Sequence, residues 1–400
     1  MKNRRLLIIS GIFLITAISL YLTSCNDEPP TPSSVNTTPY IFPSPKFFPT
    51  LLNIPADNPT TVEGVKLGRY LFYDGRMSGR MEKDSQMSCA TCHLQSRSFE
   101  CGIDHPTYIG GRPFGIKDHS KLTPHYMLPF INLVYNFNGY LWSGKVNNNN
   151  LATGNPKYNV PAKPEFHWRN LESLFWMGLY APHEMNSDST RCIAALKSIP
   201  YPNYPELFKA AFGTTDITIE KCGKAVAQFL RTLISYNSKF DKYMRKEPGG
   251  TFTASELRGY QLFISEPADC FHCHGPAPIF TTNLFYNNAK QYIVDAGDRY
   301  GYTLDTLDKG AYKATTLRNI EFTGPYMHDG RFKTLEEVVK FYATGLVPSP
   351  SVSPLMKHLS TGGNQLSDQD QQDLIAFLKT LTDLQFISEP AFGRPSDLPN

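Results

Sequence analysis

The sequence predicts a mainly α fold of two similar domains, and three observations predict it. A Cys-x-x-Cys-His pattern occurs twice, as Cys89-Ala90-Thr91-Cys92-His93 and as Cys270-Phe271-His272-Cys273-His274. Each copy follows a segment with helical spacing, Val62 to Tyr73 before the first and Phe252 to Ile264 before the second. The chain's 400 residues, 41% hydrophobic and 13% aromatic, suffice to bury two cores, and a duplicated motif implies a repeated structural unit.

The elements follow in order. Lys2, Arg4 and Arg5 precede an uncharged apolar stretch, Leu6 to Leu22, which reads as a targeting signal rather than part of the fold. Leu22-Thr23-Ser24-Cys25 resembles the lipobox of bacterial lipoproteins, which implies cleavage before Cys25 and a lipid on its thiol. Residues 26–54, rich in Pro, Ser, Thr and Asn, read as a flexible tether, so the body should begin near residue 55. A first domain over 55–245 then contains a helical stretch from Asp216 to Ser235, and polar Arg245 to Gly250 marks the boundary. Asn147 to Asn155 reads as a surface loop.

The second domain, 246–385, holds the clearest helix. Thr334-Leu335-Glu336-Glu337 is a capping box, after which Leu335, Val338, Val339 and Tyr342 share one face, with Gly345 as a stop. Tyr342 therefore points inward. Another helix starts at Ser367, closed by Asp370, and puts Leu374, Phe377, Leu378 and Leu381 on one face, leaving 386–400 as a tail. The formal charge of +3, with no Lys or Arg run after residue 5, excludes nucleic-acid binding.

Cys-x-x-Cys-His is the attachment signature of c-type heme: two thiols at that spacing reach the two vinyl groups, and the adjacent His ligates iron. A redox dithiol needs no His after its second Cys, and a zinc site would leave Cys and His ligands in excess of four. Two covalently bound hemes are thus expected, on Cys89, Cys92 and His93, and on Cys270, Cys273 and His274. Cys101, Cys192 and Cys222 remain, and a Cys192–Cys222 disulfide is open to an exported chain.

Between Val62 and Thr382 the sequence resembles the bacterial diheme cytochrome c peroxidases and their MauG-type relatives. The resemblance rests on Leu67-Gly68-Arg69-Tyr70-Leu71-Phe72-Tyr73-Asp74, Ser88 to His93, Trp142-Ser143-Gly144-Lys145, Glu184-Met185, the second heme motif, Leu317-Arg318-Asn319, and Pro325-Tyr326-Met327-His328-Asp329-Gly330. It implies two cytochrome c-like heme domains, the first peroxidatic with His93 as proximal ligand and Glu184 as distal acid–base group, the second transferring electrons. Trp142 takes the position between the hemes. Tyr342 falls where the MauG type has Tyr, and the peroxidases Met, as sixth ligand to the second iron, and Met327 is the competing ligand.

The departures are informative. The family's distal Gln is Leu174 here and a nearby Pro is Gly178, so the pocket is less polar; the chain between Trp142 and Glu184 carries an insertion around residues 146–167. A His capping the first heme would be His119, with His105 and His125 as alternatives. Family calcium would use the Thr323 and Pro325 carbonyls, but Tyr126 stands near the Asn position.

The activity implied is reduction of hydrogen peroxide to water in the periplasm, fed by a small redox protein such as a cytochrome c or a cupredoxin. A homodimer would be in keeping with the family, although no segment marks an interface. Two rivals stand beside it: a MauG-like oxidase that modifies side chains of a partner protein, and a diheme electron carrier without catalysis.

Overall fold

Each predicted helix before a motif forms on the cap its sequence offers. The computed structural model describes residues 36–80, 82, 86–102, 108–109, 112–113, 122–146, 170–291 and 297–399. Helix α1 is Val62–Tyr73, with the Thr61 hydroxyl accepting from the Gly64 amide. A single turn, α2 (Cys89–Cys92), carries the first thiols. Then come α3 (Glu172–Tyr180), α4 (Ser189–Ser198), α5 (Tyr204–Phe212) and α6 (Ile219–Thr232). After α7 (Lys239–Arg245) the pattern repeats: α8 (Ala254–Phe263), the motif turn α9 (Phe271–His274), short α10 (Tyr300–Thr303), α11 (Leu335–Thr344) and α12 (Asp368–Lys379). The capping boxes at Thr334–Glu337 and Ser367–Asp370 are both closed, as expected. Strand is confined, among the described residues, to two antiparallel pairs: β1 (Tyr108–Ile109) with β2 (Arg112–Pro113), and β3 (Phe285–Tyr286) with β4 (Tyr312–Lys313).

The two halves share one packing device. A Cβ on Gly68 of α1 would lie 1.9 Å from the Ala225 carbonyl oxygen of α6, and one on Gly259 of α8 would lie 1.9 Å from the Asp373 carbonyl oxygen of α12. Helix backbones touch at both crossings, and only glycine permits that approach. Each crossing is followed by a phenylalanine one turn later, Phe72 and Phe263, both buried in their cores. The first core runs from Leu67 to Leu233, and the second from Phe240 to Leu381.

Three boundaries differ from the sequence expectation. Residues before 55 are not all tether: the Tyr40 amide donates to Thr60, the Asn53 amide donates to Val134 at 2.7 Å, and Phe48 packs on Tyr135. Phe42, Phe48, Leu52 and Ile54 join Val134, Tyr135, Ile234 and Ile279 in a small core that the polar average of the segment concealed. The break between halves precedes α7, because Phe240 belongs to the second core and its amide donates to Thr380. Finally the tail is part of the first half: Phe386 and Leu398 join its core, and Arg69 reaches the Gly393 carbonyl at 2.7 Å.

The junction is held by a buried ion pair. Arg318, fully buried, meets Asp241 of α7 at 2.5 Å and also donates to Ser235 and to the Pro278 carbonyl. Asp383 accepts from the Tyr236 and Asn237 amides, and the Asn319 side chain accepts from the Asp383 amide. The Leu317-Arg318-Asn319 motif therefore serves the join between the halves.

The glycine crossings give opposite expectations from helix propensity and from packing. Gly→Ala in an open helix would stabilise by about 1 kcal/mol. Gly68→Ala or Gly259→Ala is expected to destabilise instead, by about 1–3 kcal/mol or more. Chemical unfolding midpoints decide: a variant as stable as the parent would refute the backbone contact.

Candidate functional site

Each Cys-x-x-Cys-His turn opens into an apolar cavity. The first, about 540 Å³ with its open mouth, is lined by Cys89, Cys92, His93, Phe130, Leu174 and Glu184 among others. The second, about 1430 Å³ with its open mouth, is lined by Cys270, Cys273, His274, Met327, Tyr342 and the apolar faces of α11 and α12. Leu335, Val338, Val339 and Tyr342, the face expected from spacing, all border it.

The donor atoms suit a heme in both places. His93 Nδ1 lies 2.6 Å from the Phe99 carbonyl and His274 Nδ1 lies 3.1 Å from the Thr315 carbonyl. A carbonyl only accepts, so Nδ1 carries the proton and Nε2 keeps its lone pair for a metal. Burial pulls both imidazoles down to about 4, so both are neutral at physiological pH. All four motif thiols are free, and burial pushes them up to about 12.

Cys101, Cys192 and Cys222 are free as well, so no disulfide joins Cys192 to Cys222. The Cys192 and Cys222 thiols are hydrogen-bonded to each other within the first core, and burial, chiefly, holds Cys222 well above its ordinary value.

Glu184 sits in the loop after α3. Its amide donates to Ala181, and the Met185 amide donates to Gly178, which turns the carboxylate into the first cavity. The side chain is 36% exposed, into that cavity, and its Oε1 lies 3.7 Å from His183 Nε2. Burial pushes Glu184 up to about 7, with the Lys145 ammonium working against the rise. Gly178 is explained by this geometry, since a Cβ there would lie 2.8 Å from Glu184 Oε2. Leu174, at the family's Gln position, lines the same cavity and leaves it apolar.

Trp142 borders the second cavity. Its indole N–H donates to the Tyr126 carbonyl at 2.8 Å, and its own carbonyl accepts from the Lys313 amide. Tyr312 stacks on His328 at 3.5 Å, and Trp142 stands edge-on to both, 6.4 and 6.2 Å away. Tyr342 and Met327 share one donor: Asn288 Nδ2 lies 3.0 Å from the Tyr342 hydroxyl and 3.5 Å from Met327 Sδ. Both competing ligands thus face the cavity of His274. Burial holds the Tyr342 phenol well above its ordinary value.

Of the capping histidines, His105 and His119 lie outside the described residues, as do Cys25 and most of the inserted loop. His125 packs against Tyr312 and His328 with Nε2 3.2 Å from the Gly297 carbonyl, away from the lining of the first cavity. Sequence reasoning missed Asn288, Lys313 and Phe130, which stacks on the His93 ring at 3.8 Å. No spacing pattern marks them, because each reaches its site from a loop or a two-residue strand.

Residues 62–249 match the family model of the di-haem cytochrome c peroxidases. The methylamine utilization protein MauG of Methylorubrum extorquens is 31% identical over 329 residues, 82% of this chain and 80% of that protein. The chain belongs to the di-haem cytochrome c peroxidase family. The cytochrome c551 peroxidase of Nitrosomonas europaea is 30% identical over 336 residues, covering 82% of this chain and 83% of that one. Among solved structures, a MauG-like protein associated with microbial copper homeostasis is similar with a TM-score of 0.72 and 29% identity, over 89% of this chain and 99% of that chain. As a di-haem peroxidase family member the protein is an oxidoreductase with two hemes.

The contact between Gly178 and the carboxylate can be tested. Gly178→Ala displaces Glu184 and should lower peroxide turnover by about 10²-fold while leaving both hemes attached. Unchanged turnover would show that the carboxylate position is immaterial.

Proposed function

We propose that this protein reduces hydrogen peroxide to water at the first cavity, with electrons delivered through the second. The observation that carries the proposal is Glu184: a carboxylate aimed into an otherwise apolar cavity beside Cys89, Cys92 and His93 and pushed up to about 7. In this reading Cys89 and Cys92 tether the first heme and His93 Nε2 holds its iron; Cys270, Cys273 and His274 do the same for the second. Bound iron supplies the redox chemistry and the site where peroxide is held.

The chain's own part is proton handling and charge placement. Glu184, when ionised, takes a proton from one peroxide oxygen and returns it to the other as water leaves, a transfer for which a carboxylate is suited because both its oxygens can take part. Leu174 and Phe175 keep bulk water off the carboxylate. Trp142, held by its bond to Tyr126, stands in the reading as the residue through which oxidising equivalents pass between the hemes.

Tyr342 is proposed as the sixth ligand of the second iron, in preference to Met327. An Asn288 N–H points at the phenol oxygen, a donor that stabilises the negative charge a tyrosinate ligand would carry. This ligand, with the MauG relative, favours a second reading in which the oxidising equivalents are spent on a partner protein's side chains. A small cytochrome c or cupredoxin is the proposed donor in the first reading. Lipid attachment at Cys25 and a periplasmic location rest on the Leu22-Thr23-Ser24-Cys25 motif.

No step runs through calcium. The resemblance assigns it to the Thr323 and Pro325 carbonyls, yet the intervening Gly324 carbonyl accepts from the Tyr126 hydroxyl at 3.1 Å. A phenol proton stands there where a cation requires oxygen lone pairs.

Glu184→Gln is expected to lower kcat for peroxide by about 10²–10⁴-fold. A carboxyl group near 7 is mostly protonated below neutrality and cannot accept the peroxide proton, so wild-type activity should rise with pH through about 7. That limb should vanish in Glu184→Gln; its persistence would remove Glu184 from the mechanism. Electron paramagnetic resonance of the ferric protein tests the ligands: one high-spin and one low-spin heme are expected, with Tyr342→Phe altering the low-spin signal. Two low-spin hemes inert to peroxide would mean an electron carrier.

A further inference from the structure

Lys313 is an ammonium without a counter-charge. It lies on β4 and is only 8% exposed, and its Nζ donates to the Asn283 carbonyl at 2.9 Å. No carboxylate pairs with it among the described residues; its other neighbour is the Phe285 ring, 4.7 Å away. The guanidinium of Arg299 lies over the same ring at 4.0 Å, so two cations share one aromatic ring. Arg299 has Asp308 at 3.3 Å, whereas Lys313 has nothing anionic. Burial, reinforced by Arg299, pulls Lys313 down to about 7. A lone buried ammonium is costly unless an anion joins it.

The position of Lys313 identifies that anion. It borders the second cavity together with His274, Cys273 and Trp142, and its amide is fixed to the Trp142 carbonyl at 2.9 Å. Two residues further along the chain, the Thr315 carbonyl fixes the His274 ring. Among the residues bordering that cavity the carboxylate Asp269 is next to the motif and is taken by His272, with Nδ1 2.5 Å from Oδ1. A heme brings two propionate carboxylates into whatever cavity holds it.

We infer that Lys313 is the counter-ion of a propionate of the second heme, and that it thereby sets that heme's reduction potential. The inference rests on the two-heme reading and deepens it. A cation beside the heme offsets the negative charge gained on reduction, so it favours the ferrous form. The role is one of charge placement, not catalysis.

Spectroelectrochemistry of the second heme in wild type, Lys313→Met, Lys313→Gln and Lys313→Arg tests this, with pyridine hemochrome counts taken on each. Lys313→Met and Lys313→Gln should shift the reduction equilibrium toward the ferric form by about tenfold, or about 59 mV for one electron. Lys313→Arg should stay near wild type. Resonance Raman of the wild type and Lys313→Gln should show a change in the propionate bending band. Potentials equal to wild type in Met and Gln variants that hold two hemes would overturn the inference, as would an Arg variant shifted as far as the Met variant. If Met and Gln variants lose the second heme, retention in Lys313→Arg supports the charge role and loss there overturns it. A wild type with fewer than two attached hemes would instead defeat the two-heme reading.

Discussion

The buried pair between Arg318 and Asp241 is the interaction on which the arrangement of both cavities depends. Arg318 lies three residues beyond Thr315, whose carbonyl orients His274, and five beyond Lys313. Asp241 lies on α7, directly after the segment that leaves the first half. One guanidinium thus fixes the strand that lines the second cavity to the segment arriving from the first. Removing one partner of such a pair leaves an uncompensated charge, at a cost of about 3–5 kcal/mol. The pair is tolerable because Asp241 also accepts from Ser238 and because Arg318 fills its remaining donors with Ser235 and Pro278.

Around that anchor the two halves use the same solution with different partners. A glycine lets the helix before each motif lie on the backbone of the last helix of its half, and each motif histidine is turned by a main-chain carbonyl. The differences lie in what faces the histidine. In the first cavity it is a carboxylate held off an apolar wall; in the second it is a tyrosine and a methionine competing for one amide donor. The proposed function accordingly assigns proton transfer to one cavity and electron storage to the other.

Much of this was legible in the sequence because it is carried by short-range patterns. Capping boxes at Thr334 and Ser367, the spacing of Leu335, Val338, Val339 and Tyr342, and the two Cys-x-x-Cys-His turns each involve residues within one or two helical turns. What stayed hidden is long-range. Lys313 meets Asn283 across a two-residue strand pair, Asn288 meets Tyr342 across more than fifty positions, and Phe48 finds Tyr135 from a stretch whose average composition is polar. The absence of a polar residue at Leu174 could be read from the chain; that Gly178 clears room for Glu184 could not, because it depends on how the loop folds back on α3.

The return of the last residues to the first half has a consequence for any attempt to take the protein apart. Phe386 and Leu398 sit in a core otherwise built before residue 234, and Tyr70 donates to Asp397 at 2.5 Å. A fragment ending at the junction would expose the apolar floor these residues cover, and a fragment beginning there would carry a strand of side chains with no surface to close. The order of synthesis matters in the same way: the first half is completed only by a segment made after the second.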